Sequence, residues 1–226
     1  SMRGHSVGGF GSVTTNKLIA SFVGELFNLH VQAYPKYGSE KKGLPTTYYL
    51  TVADAHIRTH SELEHVEFIP LNDVNAFNLG NPLAGIADGG SVFIQSDKLD
   101  PADVWSAIPA YGQKIIRNKK LRVYFLDTVK IARSVATDPD LQQRMQGVCL
   151  VGIFITMVLL NRGLALRDLG RPAEALVDLQ FVVDHEPGNA PALYNLGNLM
   201  IAQGDTDAGT ELVMKAVEID PSLRGD

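Results

Sequence analysis

The order of apolar and polar positions divides the chain into two differently patterned stretches. Up to about residue 135, short β-branched and aromatic runs alternate with segments of helical spacing. Residues 14–27 place Leu18, Ile19, Phe22, Val23 and Leu26 at helical spacing, with Thr14 or Thr15 as N-cap. Residues 31–34 read as a short strand, and 46–52 (TTYYLTV) and 66–71 (VEFIPL) as stronger ones. Asn72-Asp73 starts a helix over 74–79. A Gly-Gly turn opens the strand of GGSVFIQS (89–96), and 101–119 is helical with an interruption at Pro109. LRVYFLD (121–127) gives a further strand, then a short helix to Val135. Strands separated by helices of this length predict an α/β fold, a mainly parallel sheet with helices on both faces. Ligands of such sheets bind outside the carboxyl ends of the strands. Gly8 to Gly11 falls at such an end if residues 3–5 finish a first strand that is barely present in the pattern.

Helical spacing resumes near Leu141 and then acquires a fixed period. Gly163 recurs as Gly197, Gly170 as Gly204 and Pro187 as Pro221, each 34 residues apart. Two copies of one helix–turn–helix unit follow, with small residues where paired helices approach and a proline closing each second helix. Period and residues resemble the tetratricopeptide repeat over roughly 156–223, with Leu159 and Leu193 where a large aromatic is usual and Gly209 as the small residue of the second helix. The expected division is therefore an α/β domain at 1–155 and an all-α helical-repeat module at 156–226.

Charge sharpens this division. Residues 1–155 carry 15 Lys+Arg against 14 Asp+Glu, and residues 156–226 carry 5 against 11. The acidic second module argues against a nucleic-acid partner and for a basic peptide or protein segment. The single cysteine, Cys149, rules out a disulfide framework and points to a reducing, cytoplasmic setting. It also excludes a cluster held by four thiolates of this chain alone. The uncharged run 145–161 reads as a helix buried between two modules rather than a membrane span, which it is barely long enough to be. Ser1-Met2 reads as a cloning remnant, no secretory leader opens the chain, and the native protein is expected to begin further upstream.

Candidate chemistry starts with RGHSVGGFGS (3–12). Gly4-His5-Ser6-Val7-Gly8 matches the G-x-S-x-G nucleophile elbow, but such a serine normally follows several strands and needs an oxyanion loop that is absent here. Gly8-Gly9-Phe10-Gly11 instead opens a helix, where backbone N–H groups meet a pyrophosphate. A standard dinucleotide fingerprint fails, because Thr14 stands where its third glycine belongs and no acidic residue ends the next strand. His56, His60 and His65, with Glu62 and Glu64, read as a solvated loop rather than a metal site.

The stretch YPKYGSEKKGLPTTYY (34–49) taken alone is a hairpin punctuated by Gly and Pro. Together with HSVGGFG before a helix, it resembles the gamma subunit or domain of the 2-oxoacid:ferredoxin (acceptor) oxidoreductases. The matching segments are Gly8-Gly9-Phe10-Gly11 and Tyr37-Gly38-Ser39-Glu40-Lys41-Lys42-Gly43, followed in order by PLNDVNAF, GGSVFIQS and RMQGVCLVGIF. Phe10 replaces a usual glutamine and Lys42 a usual arginine; lysine keeps the charge without the bidentate fork.

The resemblance implies CoA-dependent oxidative decarboxylation of a 2-oxoacid such as pyruvate, with electrons passed to a ferredoxin-like acceptor. It places thiamine diphosphate, Mg and iron–sulfur clusters on alpha/beta-type partner subunits, and leaves this chain inactive alone. For this chain it implies coenzyme A binding at Ser6, Gly8, Gly9, Gly11 and Tyr37, with Glu40 and Lys42 as catalytic residues. The repeats would bind a peptide or protein partner. A competing reading is a non-catalytic adaptor whose α/β domain senses a nucleotide-like ligand.

Overall fold

In the computed structural model the chain is described except for residues 8–11, 28, 38–44, 59–60, 73 and 225–226. It divides into two compact units, Ser1–Val151 and Gly152–Asp226.

The first unit is built on one six-stranded sheet. Its strands are β1 (Met2–Val7), β2 (His30–Tyr37), β3 (Pro45–Ala53), β4 (Val66–Leu71), β5 (Ile86–Gln95) and β6 (Arg122–Leu126). The order across the sheet is β2-β3-β1-β4-β5-β6. The pairings β1–β4, β4–β5 and β5–β6 are parallel, and β3 runs antiparallel to both β1 and β2. The sheet is thus mostly parallel, with an antiparallel flank where the sequence reading had a hairpin. On β5, Val92 and Ile94 join an apolar cluster with Val104, Ile108 and Ile116, while Ser91 and Phe93, which alternate with them, are equally buried. Alternate residues face opposite sides of a sheet, so both faces of β5 are covered.

Several strand ends differ from the sequence expectation, each for a tertiary reason. Gly4, His5 and Ser6 have little β propensity, yet β1 runs the full Met2–Val7 because it sits between two partners. β2 continues through Pro35 to Tyr37; as an edge strand it needs no N–H from that residue. β5 begins at Ile86, before the Gly89-Gly90 pair, and its register with β4 shifts between Val66 and Phe68. The helix expected at 74–79 is a 3-10 turn, Val74–Asn78.

The helices of this unit are α1 (Ser12–Phe27), α2 (Pro101–Ala107), α3 (Ala110–Asn118) and α4 (Thr128–Val135). α1 starts ahead of both threonines expected as its cap, and buries Ile19 and Val23 while Phe22 stays exposed. Pro109 separates α2 from α3.

Helix α5 (Pro139–Asp168) belongs to both units, with proline at its first position, where no intrahelical N–H is lost. Its stretch Met145–Asp168 is long and apolar enough to cross a membrane by length and composition, with 44% of its most apolar window buried.

The second unit continues with α6 (Pro172–His185), α7 (Ala190–Ala202) and α8 (Thr206–Ile219). The small residues of the 34-residue period sit where backbones meet. A Cβ on Gly197 would lie 2.5 Å from the Gly209 carbonyl oxygen, and one on Gly209 would lie 2.6 Å from that of Gly197. In the first repeat Ala175 is fully buried, and a Cβ on Gly163 would meet Leu179 at 2.9 Å. Asp178 is buried beneath Arg162, which donates to its two oxygens from Nε and Nη2, both at 2.6 Å. Bidentate geometry is what makes a nearly inaccessible carboxylate tolerable there.

Candidate site at the carboxyl edge of the sheet

The register of the strands brings the expected site segments to one edge. Ser6 of β1 and Tyr37 of β2 both pair with Thr46 of β3. Segment 8–11 follows β1, and segment 38–44 joins β2 to β3, so both are entered from the same end of the sheet. One step inward, His5 is level with Leu71, Leu71 with Ile94, and Ile94 with Phe125. The next row outward holds Asn72, whose N–H donates to the His5 carbonyl at 3.1 Å, and Gln95 opposite Leu126.

Gly8, Gly9, Gly11, Glu40 and Lys42 lie outside the described residues. Ser6 and Tyr37 are described by their backbone, as the second-last residue of β1 and the last of β2. Ser6 therefore lies in a regular strand paired to β3, and α1 begins at Ser12.

The strands that carry these segments are riveted from below. Arg3 is buried on β1; its Nη2 donates to the Pro82 carbonyl at 3.3 Å and to that of Ala84, and its Nε donates to His5 Nε2 at 3.2 Å. Burial, and then the neighbouring Arg3 charge, push the His5 imidazole down to about 4, so at neutral pH it accepts that bond uncharged. Gly85, next in the same turn, has φ +71°, and a Cβ there would lie 1.8 Å from the Glu64 carbonyl oxygen. No other residue fits that turn without moving the chain.

On the antiparallel flank, Lys36 Nζ pairs with Glu62 at 2.7 Å, and the Tyr49 hydroxyl donates to the same carboxylate at 3.4 Å. Tyr34 stacks on Tyr49 with ring centroids 5.2 Å apart and donates to the Ser61 carbonyl. Glu62, considered above beside three histidines, thus ties the 54–65 loop to β2 and β3. The Lys36 ammonium holds its carboxyl below the ordinary range. His56 is exposed and meets His30 edge-on at 5.9 Å. Among the described residues no group of three or more His, Cys, Asp or Glu side chains is placed to hold a metal ion.

The same edge carries residues that motif reading did not single out. Asn72, Gln95, Ser96 and Lys98 line a cavity of about 220 Å³ beyond β4 and β5. Gln95 Oε1 accepts from the Thr128 N–H at 2.9 Å and from its hydroxyl, and Nε2 donates to Asp127 Oδ1 at 3.2 Å. Asp127 in turn caps α4 through the Lys130 N–H at 2.9 Å. The available signal was positional: Asn72 follows β4 in PLNDVNAF and Gln95-Ser96 ends GGSVFIQS, both at carboxyl ends of parallel strands.

A mostly parallel sheet, a glycine segment after one of its inner strands and a helical repeat following it in the chain define an α/β domain fused to a repeat module. The family model for pyruvate ferredoxin/flavodoxin oxidoreductase matches residues 1–169, and a tetratricopeptide-repeat model matches residues 166–224. The chain belongs to the pyruvate ferredoxin/flavodoxin oxidoreductase family. It is 28% identical over 149 residues to the pyruvate-flavodoxin oxidoreductase of Trichormus variabilis, covering 66% of this chain and 12% of that protein. It is 30% identical over 97 residues to the common gamma subunit of the pyruvate/ketoisovalerate oxidoreductases of Thermococcus kodakarensis, covering 43% of this chain and 52% of that subunit. Among solved structures, the pyruvate oxidoreductase subunit PORC of Thermotoga maritima aligns over 96% of this chain and 94% of its own, at 15% identity and a TM-score of 0.47. The chain therefore spans about an eighth to a half of the length of these curated relatives.

Proposed function

We propose that this chain is a gamma-type component of a 2-oxoacid:acceptor oxidoreductase, with coenzyme A held at the carboxyl edge of β1 and β2. The observation that carries the reading is the shared row of Ser6, Thr46 and Tyr37, from which both matching segments depart. In this reading the backbone of Gly8, Gly9 and Gly11 meets the pyrophosphate of coenzyme A at the start of α1, with Ser6 and Tyr37 beside it. Glu40 and Lys42 act from the second segment, where a lone ammonium supplies point charge rather than a planar fork. Thiamine diphosphate with Mg, and iron–sulfur clusters, supply carbanion stabilisation and electron transfer when bound on alpha/beta-type partner subunits. One cysteine in the whole chain supports placing the clusters elsewhere, and supports a reducing, cytoplasmic setting. The α/β domain occupies 1–155, and the repeats at 156–226 recruit a protein partner.

The test is reconstitution. The purified chain should show no 2-oxoacid- and CoA-dependent reduction of a viologen dye until thiamine-binding and cluster-bearing subunits are added. In the assembled complex, Glu40→Gln and Lys42→Ala should lower turnover while leaving the melting temperature of the chain unchanged. Dye reduction by the chain alone overturns the assignment as a component. Full turnover in both variants removes the catalytic roles of these two residues.

A further inference from the structure

The repeat unit carries an open groove between α6 and α7, of about 600 Å³, whose floor is apolar. Leu196 lies buried at its base beside Met200, while Val177 and Phe181, one turn apart on α6, are 69% and 39% exposed. An exposed apolar stripe one helical turn long, facing a concavity of this size, has the form that takes large side chains from an amphipathic segment. Asp184 and Asp205 stand at its rim.

The charge around the groove selects the occupant. Of the five cations in 156–226, Arg162, Arg167 and Arg171 are engaged by Asp178, Asp168 and Glu174 of the same unit. Among the described residues neither Asp184 nor Asp205 makes an ion pair; Asp184 accepts only from the Gln180 amide at 2.8 Å. Two carboxylates of the unit's acidic surplus thus line the groove without an ion-pair partner among the described residues. Phe181, partly exposed, stacks on His185 with centroids 4.0 Å apart. A second copy would bring the same surplus of negative charge to its partner, and like charges across an interface oppose docking.

We infer that the α6–α7 groove is the docking site for a basic amphipathic segment of a partner protein, apolar anchors entering between Val177, Phe181 and Met200 and Lys or Arg side chains meeting Asp184 and Asp205. This rests on the reading of the repeats as a protein-recruiting module and names the chemistry that module recognises.

The experiment uses the full chain and a fluorescein-labelled helical peptide with leucine anchors at i and i+4 and Lys/Arg flanks. A twin peptide carries Glu at every basic position. Anisotropy should show binding of the basic peptide, weakening with salt, and at least about tenfold weaker binding of the acidic twin. Val177→Glu and Asp205→Lys should each weaken the basic peptide by about tenfold or more, while Met214→Glu, exposed on α8, should not. Circular dichroism melts confirm that each variant is folded. Binding that ignores both groove variants overturns the groove and leaves recruitment by the repeats standing. No binding of the basic peptide, or equal binding of the twins, overturns the basic-segment proposal and leaves recruitment by the repeats standing. Self-association in sedimentation that Val177→Glu abolishes overturns the foreign partner in favour of a second copy.

Discussion

The two units meet the demands of their backbones by opposite means. In the repeat unit the decisive contacts are between residues close in sequence: Gly197 against Gly209, Gly163 against Leu179, Arg162 against Asp178. In the α/β unit they join residues far apart: Ser6 to Thr46 to Tyr37, Arg3 to Pro82 and Ala84, Gln95 to Thr128. The small-residue contacts repeat with the period and can be read along the chain; the Arg162–Asp178 pair has Leu196 and Leu212 at the corresponding positions and cannot. Long-range ones exist only once the register of the sheet is set. The first unit should therefore fail through displaced strands and buried charge, and the second through helices that cannot close.

The strongest break belongs to the repeats. Gly197→Val puts branched carbon where even a Cβ would lie 2.5 Å from a carbonyl of the facing helix, so α7 and α8 must separate. The expected loss is about 4 kcal/mol or more, read as reduced helicity and a lower denaturant midpoint. An unchanged midpoint would mean that the two backbones do not meet as described.

The α/β unit should respond most to acid. His5 is held near 4 against an ordinary value of 6.5, so the unfolded chain takes up its proton first as pH falls. Its contribution is fully present above pH 6.5, declines below it, and is lost as pH falls through about 4, a span worth roughly 3 kcal/mol. His5→Gln should flatten this part of the stability–pH curve. A curve of the same slope in the variant would assign the acid sensitivity to other groups.

Removing Arg162 tests the buried carboxylate of the first repeat. Arg162→Leu leaves Asp178, 2% exposed, without its two bonds. Breaking a fully buried pair costs about 3–5 kcal/mol; Arg162 is 44% exposed, so roughly 2–3 kcal/mol is expected here. The double variant Arg162→Leu/Asp178→Leu should recover most of it, and failure to recover would point to packing rather than charge. Ala175→Leu, on the same helix pair, should be milder at roughly 1–3 kcal/mol by urea unfolding.

The same contrast explains how much was legible in the sequence. The repeats and their close contacts followed from Gly163 and Gly197, Gly170 and Gly204, and Pro187 and Pro221 at a 34-residue period, with Gly209 as the small residue of the second helix. The α/β alternation and the strand Val66–Leu71 followed from apolar pattern. β1 did not, because Gly4, His5 and Ser6 become a strand through their neighbours rather than by propensity. The continuation of β2 through Pro35 required knowing that it is an edge strand. The glycine and Tyr-Gly-x-Glu segments were legible as motifs, but their convergence on Thr46 follows only from two registers taken together. Asp127 and Thr128 carry no motif, and Gln95 stands in GGSVFIQS without being marked there as a polar anchor; they matter through hydrogen bonds across the carboxyl edge.

The central claim is that two separated segments form one coenzyme A site at that edge. The most direct measurement is a double-mutant cycle on coenzyme A affinity, by calorimetry, with Gly9→Ala, Tyr37→Ala and the double variant. If both segments touch one ligand, each change weakens binding and the pair departs from additivity by about 0.5–3 kcal/mol. Strict additivity, or wild-type affinity in either single variant, would contradict a shared site.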